Sequence, residues 1–201
     1  MAVQHRKQRE RLAREQLILD AALQVFSEKG FNQATMDDVA QIAELGKGTL
    51  YYYFKSKDEI FLHLLESNTR QFFDQIYQTV ESETTFVEIV QKILLFYASY
   101  FHENRQFFNI YFPYESGQIK LKSQEFNAFR KTYYKVRKPF ETRLFQKMKE
   151  ENIASISPEN FWKILGGVIM SINMEIHRES PLQEIIQMIK EFIAVLKQGL
   201  K

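Results

Sequence analysis

Apolar residues recur along this chain every three or four positions, and the strict alternation that a half-buried strand needs is nowhere sustained. Ile18, Ala22, Val25 and Phe26 follow i, i+4, i+7, i+8 and end at Lys29-Gly30, a helix-stop signal. Thr35 stands three residues before Asp38, so its hydroxyl can cap the next helix while the acid favours that helix's N-terminus. The short helix so opened should turn Val39, Ile42 and Ala43 inward. A turn at about residues 44–46 and a second short helix from Lys47 to Phe54 follow. Ser56 and Glu59 then form an S-x-x-E capping box that opens a longer helix through Phe61, Leu64, Leu65 and Phe72.

Helical signals continue beyond residue 80. Thr85 and Glu88 make another capping box, opening a helix to about His102. A short helix over about 105–112 should stop at Pro113, with 113–117 as a loop. A long charged helix is expected over about 119–152, kinked at Pro139. Ser157-Pro158 and Ser180-Pro181 each offer a serine N-cap with proline in the first helical position. The sum is an all-α chain of about nine helices.

Composition narrows the function. The 201 residues are 45% hydrophobic and 26% charged, the balance of a globular protein. There is no cysteine, which excludes disulfides and thiolate metal sites. The histidines (5, 63, 102, 177) are scattered, so no metal and no cofactor are expected. No apolar run approaches the roughly 20 residues of a membrane span. The charged N-terminus lacks a signal peptide's apolar core, so a cytoplasmic location without membrane partners is expected. The net charge is only +2, but residues 1–14 carry Arg6, Lys7, Arg9, Arg11 and Arg14 against Glu10 alone. That makes a basic arm able to neutralise phosphates, here expected to lack a fixed geometry.

The stretch 31–61, FNQATMDDVAQIAELGKGTLYYYFKSKDEIF, carries the most chemistry. Two short helices about a tight turn, packed on a preceding helix, let the second helix enter a major groove. Leu50 and Phe54, at i and i+4, supply its inward side, leaving Lys47, Gly48, Thr49, Tyr51, Tyr52 and Tyr53. Tyrosine hydroxyls can bond phosphates and their rings can pack on sugars or thymine methyls. One of the three can close a core, but all three cannot, because they spread over most of the helix circumference.

These residues resemble the signature of the tetracycline-repressor (TetR) family: a phenylalanine after glycine, a capping threonine, a V-A-x-x-A helix, then K-G-x-L-Y-x-x-F-x-x-K. The resemblance is close over about residues 10–60. It implies a DNA-binding domain at 1–57, with basic arm and helix-turn-helix, and a ligand-binding and dimerisation domain at 58–201. It implies a repressor that binds a pseudo-palindromic operator as a homodimer and leaves it when a small effector binds. Thr35 would meet a phosphate, and Lys47, Gly48, Thr49, Tyr51, Tyr52 and Tyr53 would contact bases or backbone. Lys57 would bind phosphate, in agreement with its place at a helix N-terminus. Two positions depart from the pattern: Glu44 stands where glycine is usual, and Gly46 where serine is.

Enzymatic readings find little support. Gly46-Lys47-Gly48-Thr49 lacks the spacing of a phosphate-binding loop, since Gly48 intervenes and Gln41 occupies the upstream glycine position. His102-Glu103 begins an H-E-x-x-H pattern that Gln106 breaks. No serine stands in a G-x-S-x-G context, and no catalysis is expected.

Aromatic residues crowd the middle of the chain, and most should fill a helical core. The candidates for lining an effector cavity are Phe73, Tyr77, Tyr97, Tyr100, Phe108, Tyr111, Phe129, Tyr133 and Trp162, which suit a lipophilic or aromatic molecule. In the last two helices the stripes Phe161–Ile176 and Ile185–Leu200 repeat a helical spacing. Gly167, Met170, Ser171 and Met174 leave the other side of the first nearly uncharged, as expected of a helix buried on two sides. With Ile189, Phe192 and Leu196 they form the candidate dimer interface, which the resemblance places in these helices.

Overall fold

The computed structural model describes residues 2–81, 85–121 and 123–199, and these residues form nine α-helices and no strand. They are α1 (Ala2–Lys29), α2 (Met36–Ile42), α3 (Lys47–Tyr53), α4 (Lys57–Glu81), α5 (Phe86–Glu103), α6 (Arg105–Glu115), α7 (Ser123–Glu150), α8 (Pro158–His177) and α9 (Leu182–Gly199). The chain divides into two compact units, Met1–Thr69 with Gln106–Thr132, and Arg70–Arg105 with Tyr133–Lys201.

The first unit is built on the stripe read from α1. Ile18, Ala22, Val25 and Phe26 are all buried, and Phe26 stacks edge-on to Phe31 at 5.5 Å and beside Phe61 at 6.0 Å. Removing rings of this size from water stabilises the unit by about 1.5–3 kcal/mol each. Gly30 ends α1 at φ +77°, where its N–H donates to the Phe26 carbonyl. Only a residue without a Cβ takes that left-handed conformation without strain. The Lys29 ammonium then reaches Asp38 at 2.6 Å and ties the end of α1 to the start of α2.

In the second unit α9 packs along α5, and α8 lies against both. Phe86, Ile89, Ile93 and Phe101 of α5, Phe161, Leu165, Ile172 and Ile176 of α8, and Ile185, Ile189 and Ile193 of α9 are buried. Thr85 and Glu88 form the expected reciprocal cap on α5, and Ser157 caps α8 with Pro158 in its first turn.

Several expectations give way. The basic arm is helical: α1 starts at Ala2, because the packed half from Ile18 onward supplies the costly nucleus and elongation needs little more. Pro113 does not stop α6, which runs to Glu115. The carbonyl it leaves without a helical donor belongs to Asn109, which is exposed, so water can serve it. Ser180 does not cap α9; its hydroxyl donates to Glu175 at 2.7 Å instead. The cap of α4 is shifted: Ser56 accepts from the Glu59 N–H, but the Glu59 carboxylate accepts from the Lys55 N–H at 2.6 Å, one residue earlier. Ile42 is not inward but 45% exposed, because α2 is only seven residues long and Val39, Ala40 and Ala43 take its packed side.

Candidate nucleic-acid interface

The α2–turn–α3 segment is held by local hydrogen bonds. Thr35 Oγ1 accepts from the Asp38 N–H at 3.1 Å, while the Thr35 N–H donates to the Asp38 carboxylate at 2.9 Å. The Lys29 ammonium and then the Thr35 hydroxyl and N–H hold the Asp38 carboxyl down at about 2. After α2 the chain turns through Glu44 at φ +53°, and Leu45 N–H returns to the Ala40 carbonyl at 2.9 Å. Glu44 therefore occupies a left-handed conformation that favours glycine, the residue that the TetR pattern carries there. Gly46 caps α3 in an extended conformation without a side-chain acceptor.

On α3, Leu50 is fully buried and Phe54, just beyond, nearly so. Lys47, Gly48, Thr49, Tyr51 and Tyr52 face solvent, with Tyr52 the most open at 69% exposed. Tyr53 is half-buried and meets the Tyr52 ring edge-on at 5.2 Å. A Cβ at Gly48 would touch nothing within 4 Å, so the surface there is open. Lys47 pairs with Asp37 at 2.6 Å, which raises the pKa of its ammonium and braces α3 against α2. Arg11 of α1 also belongs to this surface. Its pKa is raised first by a hydrogen bond from its guanidinium to Glu15, with Tyr52 and Tyr53 close enough to contribute.

Lys57 has a second occupation that its sequence position does not reveal. Its ammonium donates to the carbonyls of Phe31, Ala34 and Asn32 at 2.7, 3.0 and 3.1 Å, and lies 4.7 Å from the centre of the Phe31 ring. Those three bonds use all its hydrogens. The residue closes the loop between α1 and α2 onto α4. Carbonyl contacts across more than 20 residues of chain leave no local pattern in a sequence.

The aromatic candidates fall into different units. Phe108, Tyr111 and Phe129 lie in the first, where Phe108 and Phe129 are buried and Tyr111 is half-buried. Phe73, Tyr77, Tyr97, Tyr100, Tyr133 and Trp162 lie in the second. There Phe72, which the candidate set omits, has Phe73, Phe96, Tyr97, Tyr100 and Phe101 within 5.2–5.9 Å. Tyr97 donates its hydroxyl to Asn173 at 2.8 Å, both side chains buried, which satisfies a polar pair inside the bundle. Burial raises the Tyr100 phenol's pKa. Phe73 meets Tyr133 at 5.7 Å, and Arg137 lies over the rings of Tyr133 and Trp162 at 5.5 and 5.2 Å. Tyr77 is 38% exposed.

On α8, Gly167, Met170, Ser171 and Met174 all face solvent. Ile164, unremarked in the sequence, joins them at 53% exposed, and on α9 Val195 is 68% exposed. Positions 164, 167, 171 and 174 are spaced i, i+3, i+7, i+10, a seam that period alone could have revealed. Phe192 and Leu196 are half-buried. Ile189 is 1% exposed and packs inside its own unit, so its side chain is not part of that surface.

Comparison with known proteins agrees with this geometry. Residues 18–64 match the family model described as bacterial regulatory proteins, tetR family. An uncharacterized HTH-type transcriptional regulator of Bacillus subtilis, YhgD, is 36% identical over 81 residues, 40% of this chain and 42% of that protein. The biofilm operon icaADBC HTH-type negative transcriptional regulator IcaR of Staphylococcus epidermidis is 26% identical over 107 residues, 53% of this chain and 56% of its own length. The chain thus spans about half the length of the curated relatives it matches. Over the whole fold, the transcriptional regulator FadR of Bacillus subtilis, solved in complex with stearoyl-CoA, superposes with a TM-score of 0.71 at 16% identity, covering 89% of this chain and 96% of that one. Residues 18–64 thus match the helix-turn-helix of the bacterial tetR-family regulatory proteins, on an architecture shared with solved regulators of that family.

Proposed function

We propose that the chain is a repressor that binds a pseudo-palindromic operator as a homodimer and leaves it when a small lipophilic or aromatic effector binds. One observation carries the DNA reading. The exposed side of α3 presents Thr49, Tyr51 and Tyr52 to solvent while Leu50 fixes its other side in the core. Such a helix offers hydroxyls and flat rings at a height set by packing, as groove reading needs. Thr35, Lys47, Gly48 and Tyr53 flank that surface. In this reading Lys57 contributes its charge to phosphate from within its carbonyl clamp.

Two copies would pair through α8 and α9 at Ile164, Gly167, Met170, Ser171, Met174 and Val195, with Phe192 and Leu196 beside them. Glycine inside a helix costs about 0.5–1 kcal/mol relative to alanine. A Cβ on Gly167 would meet nothing within its own chain, so the protomer's own packing does not account for that cost. For the effector, the ring cluster about Phe72 suits an apolar molecule, and FadR's stearoyl-CoA makes acyl-CoA the first class to try. The effector would favour a spacing of the two α3 helices that misfits successive major grooves. No catalytic role is assigned.

Selection from a random duplex library, followed by mobility-shift titration, tests this. Two half-sites about 10 base pairs apart, or a multiple of that, should be enriched. Tyr52→Ala should weaken the selected site by about 1–3 kcal/mol. Gly167→Leu should lower dimer and operator binding together in sedimentation and titration. Recovery of no preferred sequence would overturn the reading.

A further inference from the structure

Residues 4–14 of α1 are exposed on every side, yet helical. At 1.5 Å per residue they project about 16 Å beyond the packed half of the helix. The packed stripe Ile18, Ala22, Val25 continues outward, at the same i, i+4, i+7 spacing, as Lys7, Arg11 and Arg14. One face of a single helix is thus apolar where the protein covers it and basic where the protein stops. Arg6 and Arg9 point away from that face. The packed stripe of α1 lies against α2, on which α3 also packs, so the basic face continues the side of α1 that carries the helix-turn-helix.

We infer that the projecting half of α1 is a rigid phosphate-binding strut, whose Lys7–Arg11–Arg14 face lies along the DNA backbone flanking the half-site that α3 reads. The charge supplies the chemistry, and continuity with the helix-turn-helix names the partner. A length of about 16 Å covers about five base pairs at 3.4 Å each. This extends the proposed function and rests on it. It differs from a flexible basic arm in one measurable respect: a flexible arm uses all its charges equally, whereas a helix uses one side.

The test compares Lys7→Ala/Arg14→Ala with Arg6→Ala/Arg9→Ala, each pair removing two charges from the full chain. The probe is the duplex enriched from the random library, with long flanks and with flanks trimmed by about five base pairs, across a salt series. The Lys7/Arg14 pair should lower the slope of log K against log salt by about two on the long duplex, at roughly 0.9 per phosphate. It should have little effect on the trimmed one. The Arg6/Arg9 pair should leave both slopes nearly unchanged. With Ala13→Pro, which keeps every charge but interrupts the helix, the two pairs should have equal effects. Equal effects of the two pairs in the unbroken helix, or the same inequality after Ala13→Pro, would overturn the strut while leaving operator reading intact. Failure to enrich any sequence would remove both.

Discussion

The first unit assigns separate tasks to single side chains, whereas the second spreads one task over many. Around α2 and α3, Thr35 caps, Lys29 ties, Leu50 and Phe54 anchor, Lys57 closes a loop, and Tyr52 is left in solvent. In the second unit, Phe72 shares its surroundings with five other rings, and α5, α8 and α9 contribute interchangeable aliphatics. A unit of the first kind constrains residue types strongly, and it is the part that matches a family model. A unit of the second kind needs only volume and apolarity, so its sequence can drift while the fold persists.

The contrast can be attacked first through its rings. Phe61→Ala removes a fully buried ring that touches Phe26, Phe31 and Tyr114, and should cost about 3–5 kcal/mol in denaturant unfolding. Phe72→Ala, half-buried among neighbours able to close in, should cost about half as much. Equal losses would mean that the second unit is as finely fitted as the first.

Next comes Lys57→Met, which keeps the stem and removes the ammonium from three carbonyls. A loss of about 1.5–3 kcal/mol is expected, the range for hydrogen bonds to a charged group. A stability unchanged by Lys57→Met, with DNA affinity alone reduced, would return the residue to a purely phosphate-binding role. Glu44→Gly should go the other way. It relieves a left-handed residue, worth about 1–2 kcal/mol, against a more disordered unfolded chain, so a gain of up to about 1 kcal/mol is expected from the thermal midpoint.

The smallest effect is in pH. Asp38 has its carboxyl pKa lowered to about 2 by Lys29 and Thr35, so the folded state binds the proton less readily than the unfolded chain. Its contribution should be complete above about pH 4 and fade as the pH falls toward 2. Asp38→Asn should flatten that part of the stability–pH curve and leave neutral pH profiles parallel.

How much of this was legible follows from the range over which each residue acts. The Thr35 and Thr85 caps, the Ser157-Pro158 start and the inward pair Leu50 and Phe54 depend on neighbours within four residues, and each stands where the sequence puts it. The Lys57 clamp and the exposure of Ile42 depend on which surface another segment covers, and period says nothing of that. Ile189 and Val195 are both β-branched residues of α9, yet one is buried and the other open; α5 packs along α9, and period does not say on which side. For the aromatics, the sequence shows rings in plenty but not the grouping about Phe72, since volume can be shared among rings in many ways. The match of residues 18–64 to a family model reflects the same division.

The outer half of α1 is anchored in the core at Ile18 and exposed over residues 4–14, and this gives it a graded resistance to proteolysis. Trypsin needs several residues of extended chain, so cleavage after Arg6, Lys7, Arg9, Arg11 or Arg14 requires local opening of the helix. Opening costs little in the exposed turns farthest from the core and progressively more toward Ile18, where each further residue must also leave the core. The five sites should therefore be cut in order from the N-terminus, at rates that fall stepwise. The spacing of those rates is a direct reading of how stiff the segment is, residue by residue.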